Sequence, residues 1–271
     1  MAIDRIDSPH NLPTVIMIPG TLCDARIFTR QKRALRTIAD VRMVGYDALS
    51  LTGHWADALL AQLPPRFSVV GFSLGGLFAL ELLRKAPQRI ERLAMVASNA
   101  HGATRAGQRK SAWLWRMWRA QGPGTVARHV KPGYFHHERQ RQRHAQLVHD
   151  MALGTSRKAA FAEFEWAASR PDGLHDLARF DGPLLLVSGA KDRLCTPAMQ
   201  RAMVCAQARA QWLELPRVGH FVPLEAGARL NDALKRWVAQ PASSAPDATA
   251  ASASVAARGR SHIFAGIAKT T

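Results

Sequence analysis

The strongest constraint on the fold lies in residues 67–87, FSVVGFSLGGLFALELLRKAP. An apolar run suited to a buried strand leads to one serine, Ser73, among three glycines, and a segment with helical apolar periodicity follows. A short run that is apolar on both faces is typical of a parallel strand covered by helices. This stretch favours an α/β fold with Ser73 at the carboxyl end of a strand.

The alternation of strand-like and helix-like segments recurs along the chain. It predicts six strands, at residues 15–18, 41–46, 67–71, 92–97, 184–188 and 211–215. It predicts helices at roughly residues 25–38, 54–63, 74–85, 196–207 and 225–239. Strands that alternate with helices imply a doubly wound, mostly parallel sheet.

The alternation stops between residues 99 and 178, so we expect a helical cap inserted into a core made of residues 1–98 and 179–240. Residues 101–145 of this cap carry ten lysines and arginines against one glutamate. Residues 241–271 are rich in alanine and serine without apolar periodicity, which predicts a disordered tail.

Composition narrows the class of protein. A hydrophobic share of 47% supports a sizeable core, and no apolar run is long enough to predict a membrane span. The first residues show no apolar leader, and three cysteines at unrelated spacings form no disulfide framework, so we expect a cytoplasmic protein. The formal net charge of +17 indicates either an anionic partner or a plain preference for arginine.

The segment around Ser73 fits the pattern G-x-S-x-G between a strand and a helix. That pattern holds a nucleophilic serine on a tight turn whose neighbours must be small. The amide of Leu74, at the start of the helix, would be one donor to an oxyanion. Glycine and serine also make ordinary turns, so the remaining catalytic groups must come from elsewhere in the chain.

A serine nucleophile needs a base, and the base needs a carboxylate. His220 follows the last predicted strand in LELPRVGHFVPLE, and Asp192 follows a buried strand in PLLLVSGAKDRLCTP. We expect Ser73, Asp192 and His220 to form a catalytic triad. The cap also holds four histidines with loose metal-like spacings, for which a solvated helix face is the preferred interpretation: His136, His137, His144 and His149.

A second oxyanion donor is expected after the first strand, in VIMIPGTLCD. Gly20 lets the backbone approach a substrate, and the amide of Thr21, or alternatively of Leu22, would point at the oxyanion. Cys23 has no context for a nucleophile, and packing is the preferred interpretation. We expect neither a metal nor an organic cofactor.

Four pieces of the chain together resemble the α/β-hydrolase family over about residues 12–240. They are IPGTLCD, GFSLGGLFALELL, LLLVSGAKDRLCTP and RVGHFVPLE. Where the family commonly has His-Gly, this chain has Pro19-Gly20, which leaves the backbone donor in place. Within the family the chain resembles small cytoplasmic carboxylesterases of the pimeloyl-carrier-protein methyl ester esterase type, and this resemblance implies an acidic carrier protein as a partner of the basic cap.

The expected function is hydrolysis of a carboxylic ester or thioester. Three tryptophans of the cap would either line an apolar acyl pocket or pack the cap onto the core: Trp113, Trp115 and Trp118. The alternatives are a non-hydrolytic binder or lyase on the same fold, and a lactonase or C–C hydrolase. No nucleic-acid-binding motif accompanies the basic cap, so specific nucleic-acid binding is not expected.

Overall fold

The structure is a computed structural model that describes residues 12–46 and 55–242. Its strands are β1 (Thr14–Ile18), β2 (Asp40–Met43), β3 (Phe67–Phe72), β4 (Ile90–Val96), β5 (Leu184–Gly189) and β6 (Gln211–Leu215). They form one sheet in the order β2-β1-β3-β4-β5-β6, and every neighbouring pair is parallel. This confirms the predicted α/β fold with a doubly wound sheet, and each predicted strand is present.

The helices of the core lie between and after these strands. They are α1 (Thr29–Leu35), α2 (Trp55–Leu60), α3 (Leu74–Lys85), α9 (Pro197–Ala206), α10 (Val222–Glu225) and α11 (Gly227–Val238). The predicted bounds of α3 match the structure. The helix predicted at roughly 225–239 is present as α11 and begins two residues later, because the backbone of Ala226 (φ −135°, ψ 36°) leaves the helical region and separates α10 from α11.

The sheet is covered on both faces, as its apolar strands require. All six residues of β3 are buried. Val69 belongs to an apolar cluster with residues of α2, α3 and α9, whereas Val70 belongs to a second cluster with residues of α1 and α11. The strand that leads to Ser73 is therefore held rigidly from both sides.

The segment between β4 and β5 is helical, and we keep the name cap for residues 99–178. Its helices are α4 (Arg105–Gln121), α5 (Pro123–His129), α6 (Glu138–Leu153), α7 (Arg157–Ser169) and α8 (Leu174–Ala178). A third apolar cluster joins Leu114, Trp118, Val126 and Phe164 of the cap to Leu22 of the core. The last helix, α8, contacts α3 and α9.

The sequence also led to predictions about membrane-spanning segments, the C-terminal tail and the location of the protein. Within the described residues, no helix is both long and apolar enough to cross a membrane. Most of the predicted disordered tail, from residue 243 onward, lies outside the described residues. The cytoplasmic location stays a prediction.

Candidate active site

Ser73 occupies the tight turn between β3 and α3 with an unusual backbone. Its φ of 53° and ψ of −116° lie in a sparsely populated region, which costs about 1–3 kcal/mol and persists only where the surroundings enforce it. The Ser73 amide donates to the Val96 carbonyl at 2.9 Å, and the Ser98 hydroxyl donates to the Ser73 carbonyl at 2.7 Å. These bonds from the end of β4 fix the turn and present the Ser73 side chain outward.

Two glycines make this turn possible by removing side chains from a crowded place. A Cβ atom on Gly71 would lie 2.4 Å from the Gly75 carbonyl oxygen, and one on Gly75 would lie 2.1 Å from the Ile18 carbonyl oxygen. Neither position has room for a methyl group. The G-x-S-x-G spacing is therefore a steric requirement of the close approach between β1, β3 and α3.

The three side chains predicted to act together are hydrogen-bonded in a row. His220 Nε2 lies 2.9 Å from Ser73 Oγ, and His220 Nδ1 lies 2.8 Å from Asp192 Oδ2. The other carboxylate oxygen of Asp192 accepts from the amides of Leu194 and Cys195 at 2.7 and 3.0 Å. Both Asp192 and His220 are buried, so this carboxylate is fixed toward the imidazole.

The cap holds the loop that carries His220. The His220 amide donates to the Tyr134 carbonyl at 2.8 Å. The Glu225 carboxylate accepts from the Gly219 amide and, at 2.9 Å, from the His136 amide. The position of the imidazole thus depends on backbone groups of the cap.

The amide of Leu74 is at the first position of α3, where a helix leaves its N–H groups without intrahelical partners. The Leu22 amide donates to the buried Glu163 carboxylate at 2.6 Å, so it is occupied. Of the two alternatives left open for the second donor, this bond favours Thr21 over Leu22.

The loop formed by residues 19–23 is held by buried polar side chains. The Lys131 ammonium donates to the carbonyls of Thr21 and Leu22, each at 2.8 Å, and Tyr46 donates its hydroxyl to the Pro19 carbonyl. Lys131 is 4% exposed and Glu163 is 0% exposed, and both come from the cap. Leu22 has a φ of 49°, so a strained residue is fixed through its amide and its carbonyl.

Burial raises the pKa of two side chains near this loop, which favours their protonated forms. It raises the pKa of the Cys23 thiol, an effect that the nearby Lys131 ammonium partly opposes. It also raises the pKa of Tyr46 well above its ordinary value. A protonated thiol is a poor nucleophile, which supports packing as the role of Cys23.

A cavity of about 260 Å³ opens over Ser73 and lies between the core and the cap. The side nearest the predicted triad is lined by Thr21, Ser73, Leu74 and His220. Its apolar wall includes Leu77, Leu114, Val126, Phe164 and Met199. Such a mostly apolar pocket with a few convergent polar groups is typical of a small-molecule site.

The three cap tryptophans are not among the residues that line this cavity. Trp113 is 46% exposed, and Trp118 is buried in the apolar cluster of the cap, where its ring stacks on that of Trp115. Neighbouring residues on a helix point about 100° apart. Leu114 therefore faces the cavity while Trp113 faces solvent, which corrects the expectation that these tryptophans bind substrate.

Three side chains with metal-binding atoms lie together among the described residues: Asp192, Cys195 and His220, with ligand atoms within 4.8 Å of one another. Both imidazole nitrogens of His220 already face hydrogen-bond partners. Burial, together with the nearby Asp192 carboxylate, raises the pKa of Cys195 to about 12, which disfavours a thiolate ligand. The donor set fits the row of hydrogen bonds better than a metal ion.

One of the cap histidines departs from the expected solvated face. His144 is buried, and its ring stacks on Phe135 at a centroid distance of 6.4 Å. Burial lowers the pKa of His144, and the positive charges of Arg30 and Arg143 lower it further. This histidine is a neutral packing residue.

Comparison with known proteins identifies the class to which this arrangement belongs. Residues 15–233 match the alpha/beta hydrolase family. The chain belongs to that family. This alpha/beta hydrolase combines a parallel sheet, the turn at Ser73 and a helical segment between β4 and β5.

Individual relatives match less of the chain. It is 29% identical over 125 residues to a pimeloyl-acyl-carrier protein methyl ester esterase of Nitrosomonas europaea, covering 43% of this chain and 48% of that protein. It is 30% identical over 151 residues to a protein of the same name from Neisseria meningitidis serogroup C, covering 53% and 58%. The chain thus spans about half the length of these curated relatives.

A solved structure extends the similarity over most of the fold. The enol-lactonase of Burkholderia xenovorans LB400 superposes with a TM-score of 0.76 at 20% identity. The match covers 89% of this chain and 99% of that structure. At this level of identity the comparison supports the fold.

Proposed function

We propose that this alpha/beta hydrolase is a serine hydrolase that cleaves a carboxylic ester or thioester through an acyl-enzyme. The observation that carries the proposal is the pair of hydrogen bonds from His220, to Ser73 Oγ at 2.9 Å and to Asp192 at 2.8 Å, beside the cavity. A serine hydroxyl becomes a useful nucleophile only when a positioned base accepts its proton.

In the first half of the reaction, Ser73 Oγ attacks the acyl carbon while His220 Nε2 takes the hydroxyl proton. Asp192 keeps Nδ1 protonated and stabilises the imidazolium. The imidazolium then gives its proton to the leaving alcohol or thiol, and the acyl group stays on Ser73. In the second half His220 takes a proton from the water that attacks the carbonyl carbon of the acyl-enzyme. The imidazolium then returns this proton to Ser73 Oγ as the bond between that oxygen and the acyl carbon breaks and the acid leaves.

The negative charge that develops on the acyl oxygen would be held by the amides of Leu74 and Thr21. One of these donors begins α3, and the other lies in the loop that Lys131 and Glu163 hold. Backbone donors fixed in advance need no reorganisation during the reaction, and each is worth about 2.7–4 kcal/mol of barrier. This chemistry requires neither a metal nor an organic cofactor.

The test is turnover of a short p-nitrophenyl ester together with labelling by a fluorophosphonate. The wild-type protein should hydrolyse the ester and carry the label on Ser73. Ser73→Ala should lose the label and more than about 10⁴-fold of kcat/KM. Equal turnover by both proteins would refute the mechanism, whereas a wild-type protein with neither turnover nor label would favour a non-hydrolytic binder or a lyase.

We also propose an acidic acyl-carrier protein as the partner that presents the substrate. Support comes from the names of the relatives and from the cap, where residues 101–145 carry ten lysines and arginines against one glutamate. Reversing the charges of Arg139, Arg141 and Arg143 to glutamate should raise KM for a carrier-bound ester and leave a free ester unaffected. Unchanged KM for the carrier-bound ester would contradict this partner.

A second candidate activity is the opening of a lactone, because the enol-lactonase of Burkholderia xenovorans shares most of the fold. A panel of esters, thioesters, lactones and C–C hydrolase substrates, compared by kcat/KM, separates these chemistries. The highest value for an acyclic ester or thioester is the expected result.

A further inference from the structure

The cavity is lined by basic side chains. Its lining includes Lys110, Lys131 and Arg170 and, within the described ranges 12–46 and 55–242, neither an aspartate nor a glutamate. Lys131 is occupied by two backbone carbonyls. Lys110 and Arg170 are therefore the cations that a bound substrate could meet.

Arg170 is half-buried at the end of α7 and bonded to backbone only. Its Nε donates to the His101 carbonyl at 3.0 Å, and its Nη1 donates to the Ala167 carbonyl. Burial lowers the pKa of the guanidinium, and no carboxylate acts on it. A guanidinium has five N–H donors and these two bonds engage two of them, so the side chain, which lines the cavity, keeps donors for a ligand.

Lys110 approaches the same side of the cavity from α4. Its ammonium lies 5.4 Å from the centre of the Tyr134 ring, and that ring lies 5.6 Å from the His220 ring in an edge-on contact. The charges of Lys110 and Arg170 both act on the thiol of Cys195, which lines the cavity next to the Asp192 carboxylate. The two cations thus converge near the catalytic histidine.

The half-buried guanidinium of Arg170 has no carboxylate partner among the groups that shift its pKa, and an anion bound beside it would offset the cost of its partial desolvation. We propose that the cavity selects an ester that carries a second anionic group, a carboxylate, which Arg170 and Lys110 bind while the ester lies at Ser73. The apolar wall of Leu77, Leu114 and Phe164 would cover the aliphatic chain between the two groups. This proposal rests on the proposed function and names its substrate class.

The test compares substrates that differ only in this charge. One series consists of monomethyl esters of dicarboxylic acids from succinate to suberate, each matched with the methyl ester of the corresponding monoamide. The second series consists of acetate esters of ω-hydroxy acids, again matched with their amides. The first series places the carboxylate on the acyl side and the second places it on the leaving-group side.

In at least one series, the wild-type kcat/KM should favour the carboxylate over the amide by about tenfold or more, mainly through KM. Lys110→Met and Arg170→Met should bring this ratio close to one. The exposed cations Arg109 and Arg157 belong to the same two helices and do not line the cavity, so Arg109→Met and Arg157→Met are matched controls that keep the wild-type ratio.

Arg170 also bonds two carbonyls, so its variant could fail to fold. The exposed Lys110 and the wild-type substrate ratio keep the proposal testable in that case. A wild-type ratio near one in both series, or a ratio that both cavity variants leave unchanged, would overturn the anion site while ester hydrolysis stands.

Failure of the proposed function has a different signature. The protein would then hydrolyse neither member of any pair and would take no fluorophosphonate label on Ser73. Calorimetric titration of the Ser73→Ala protein with monomethyl glutarate and with 4-acetoxybutyrate, each against its amide, measures the anion site without turnover. Tighter binding of the carboxylate in at least one pair supports the site, and equal binding in both pairs overturns it.

Discussion

Replacement of Lys131 by methionine tests the catalytic role proposed for the loop 19–23 apart from its contribution to stability. Methionine retains an apolar stem but lacks the ammonium that donates to the carbonyls of Thr21 and Leu22. Glu163 would still bind the Leu22 amide and Tyr46 the Pro19 carbonyl, so the loop would keep these two bonds and lose those to its Thr21 and Leu22 carbonyls. The Thr21 amide would then be free to turn away from the oxyanion.

The structure sets the expected magnitude of this change. Complete loss of one oxyanion donor costs about 2.7–4 kcal/mol, which is the upper limit. Lys131 acts through the loop, and a displacement of about 1 Å can cost roughly 100-fold in rate. We expect kcat to fall about 100-fold and KM to change less than about threefold. Two hydrogen bonds from a charged donor are lost, so the free energy of unfolding should fall by about 3 kcal/mol or more.

The assay measures kcat and KM for a p-nitrophenyl ester at a temperature where circular dichroism shows the variant to be folded. A trifluoromethyl ketone inhibitor adds a direct measure of the oxyanion site, since its adduct with Ser73 carries the same charge as the transition state. Its affinity should fall by the same factor as kcat. Lys158→Met, an exposed cation of the cap, is the matched control.

Glu163→Gln provides a graded comparison, because an amide oxygen can still accept from the Leu22 amide. We expect a smaller loss of kcat than for Lys131→Met. If folded Lys131→Met protein retained the wild-type kcat and inhibitor affinity while losing stability, the side chain would only support the fold, and the reasoning would be refuted.

Three further predictions concern stability and reactivity. Gly75→Ala should lower the free energy of unfolding by about 3 kcal/mol or more in urea titrations, while Gly45→Ala, whose added Cβ meets nothing within 4 Å, should change it by less than about 1 kcal/mol. The lowered pKa of His144 means that the unfolded chain binds more protons, so the free energy of unfolding should fall as pH drops below about 6.5, and His144→Gln should flatten this decline between pH 5 and 7. Exposed Cys205 should react with a disulfide reagent much faster than Cys195 in native protein at pH 8, and equal rates would contradict the assigned burial.

The core and the row of three catalytic candidates follow from local patterns. The apolar period changes from strand to helix at Ser73, and Asp192 and His220 each follow a strand of the same parallel sheet. Because the carboxyl ends of parallel strands lie at one edge, the three side chains could be expected to meet. The bounds predicted for α3 also match the structure, because the glycine-rich turn at Ser73 precedes the helix and Pro87 follows it.

The contributions of the cap could not be found in this way. Lys131 and Glu163 lie 110 and 141 positions from their partners in the loop 19–23, and no spacing marks them among the other charged residues of the cap. The prediction that the three tryptophans of α4 line the cavity failed, because composition does not say which face of α4 meets the cavity. Leu114, between Trp113 and Trp115, takes that place.

The hydrogen bonds between the cap and the loop 19–23 also limit how the cap could be exchanged between members of this family by recombination. Lys131 and Glu163 connect a segment that lines the cavity to the loop that we propose supplies an oxyanion donor. Recombination that replaced the cap alone would remove both. A chimera whose new cap lacked a lysine and a glutamate at these two places would lose turnover as well as selectivity, so cap and loop must evolve as one inherited unit.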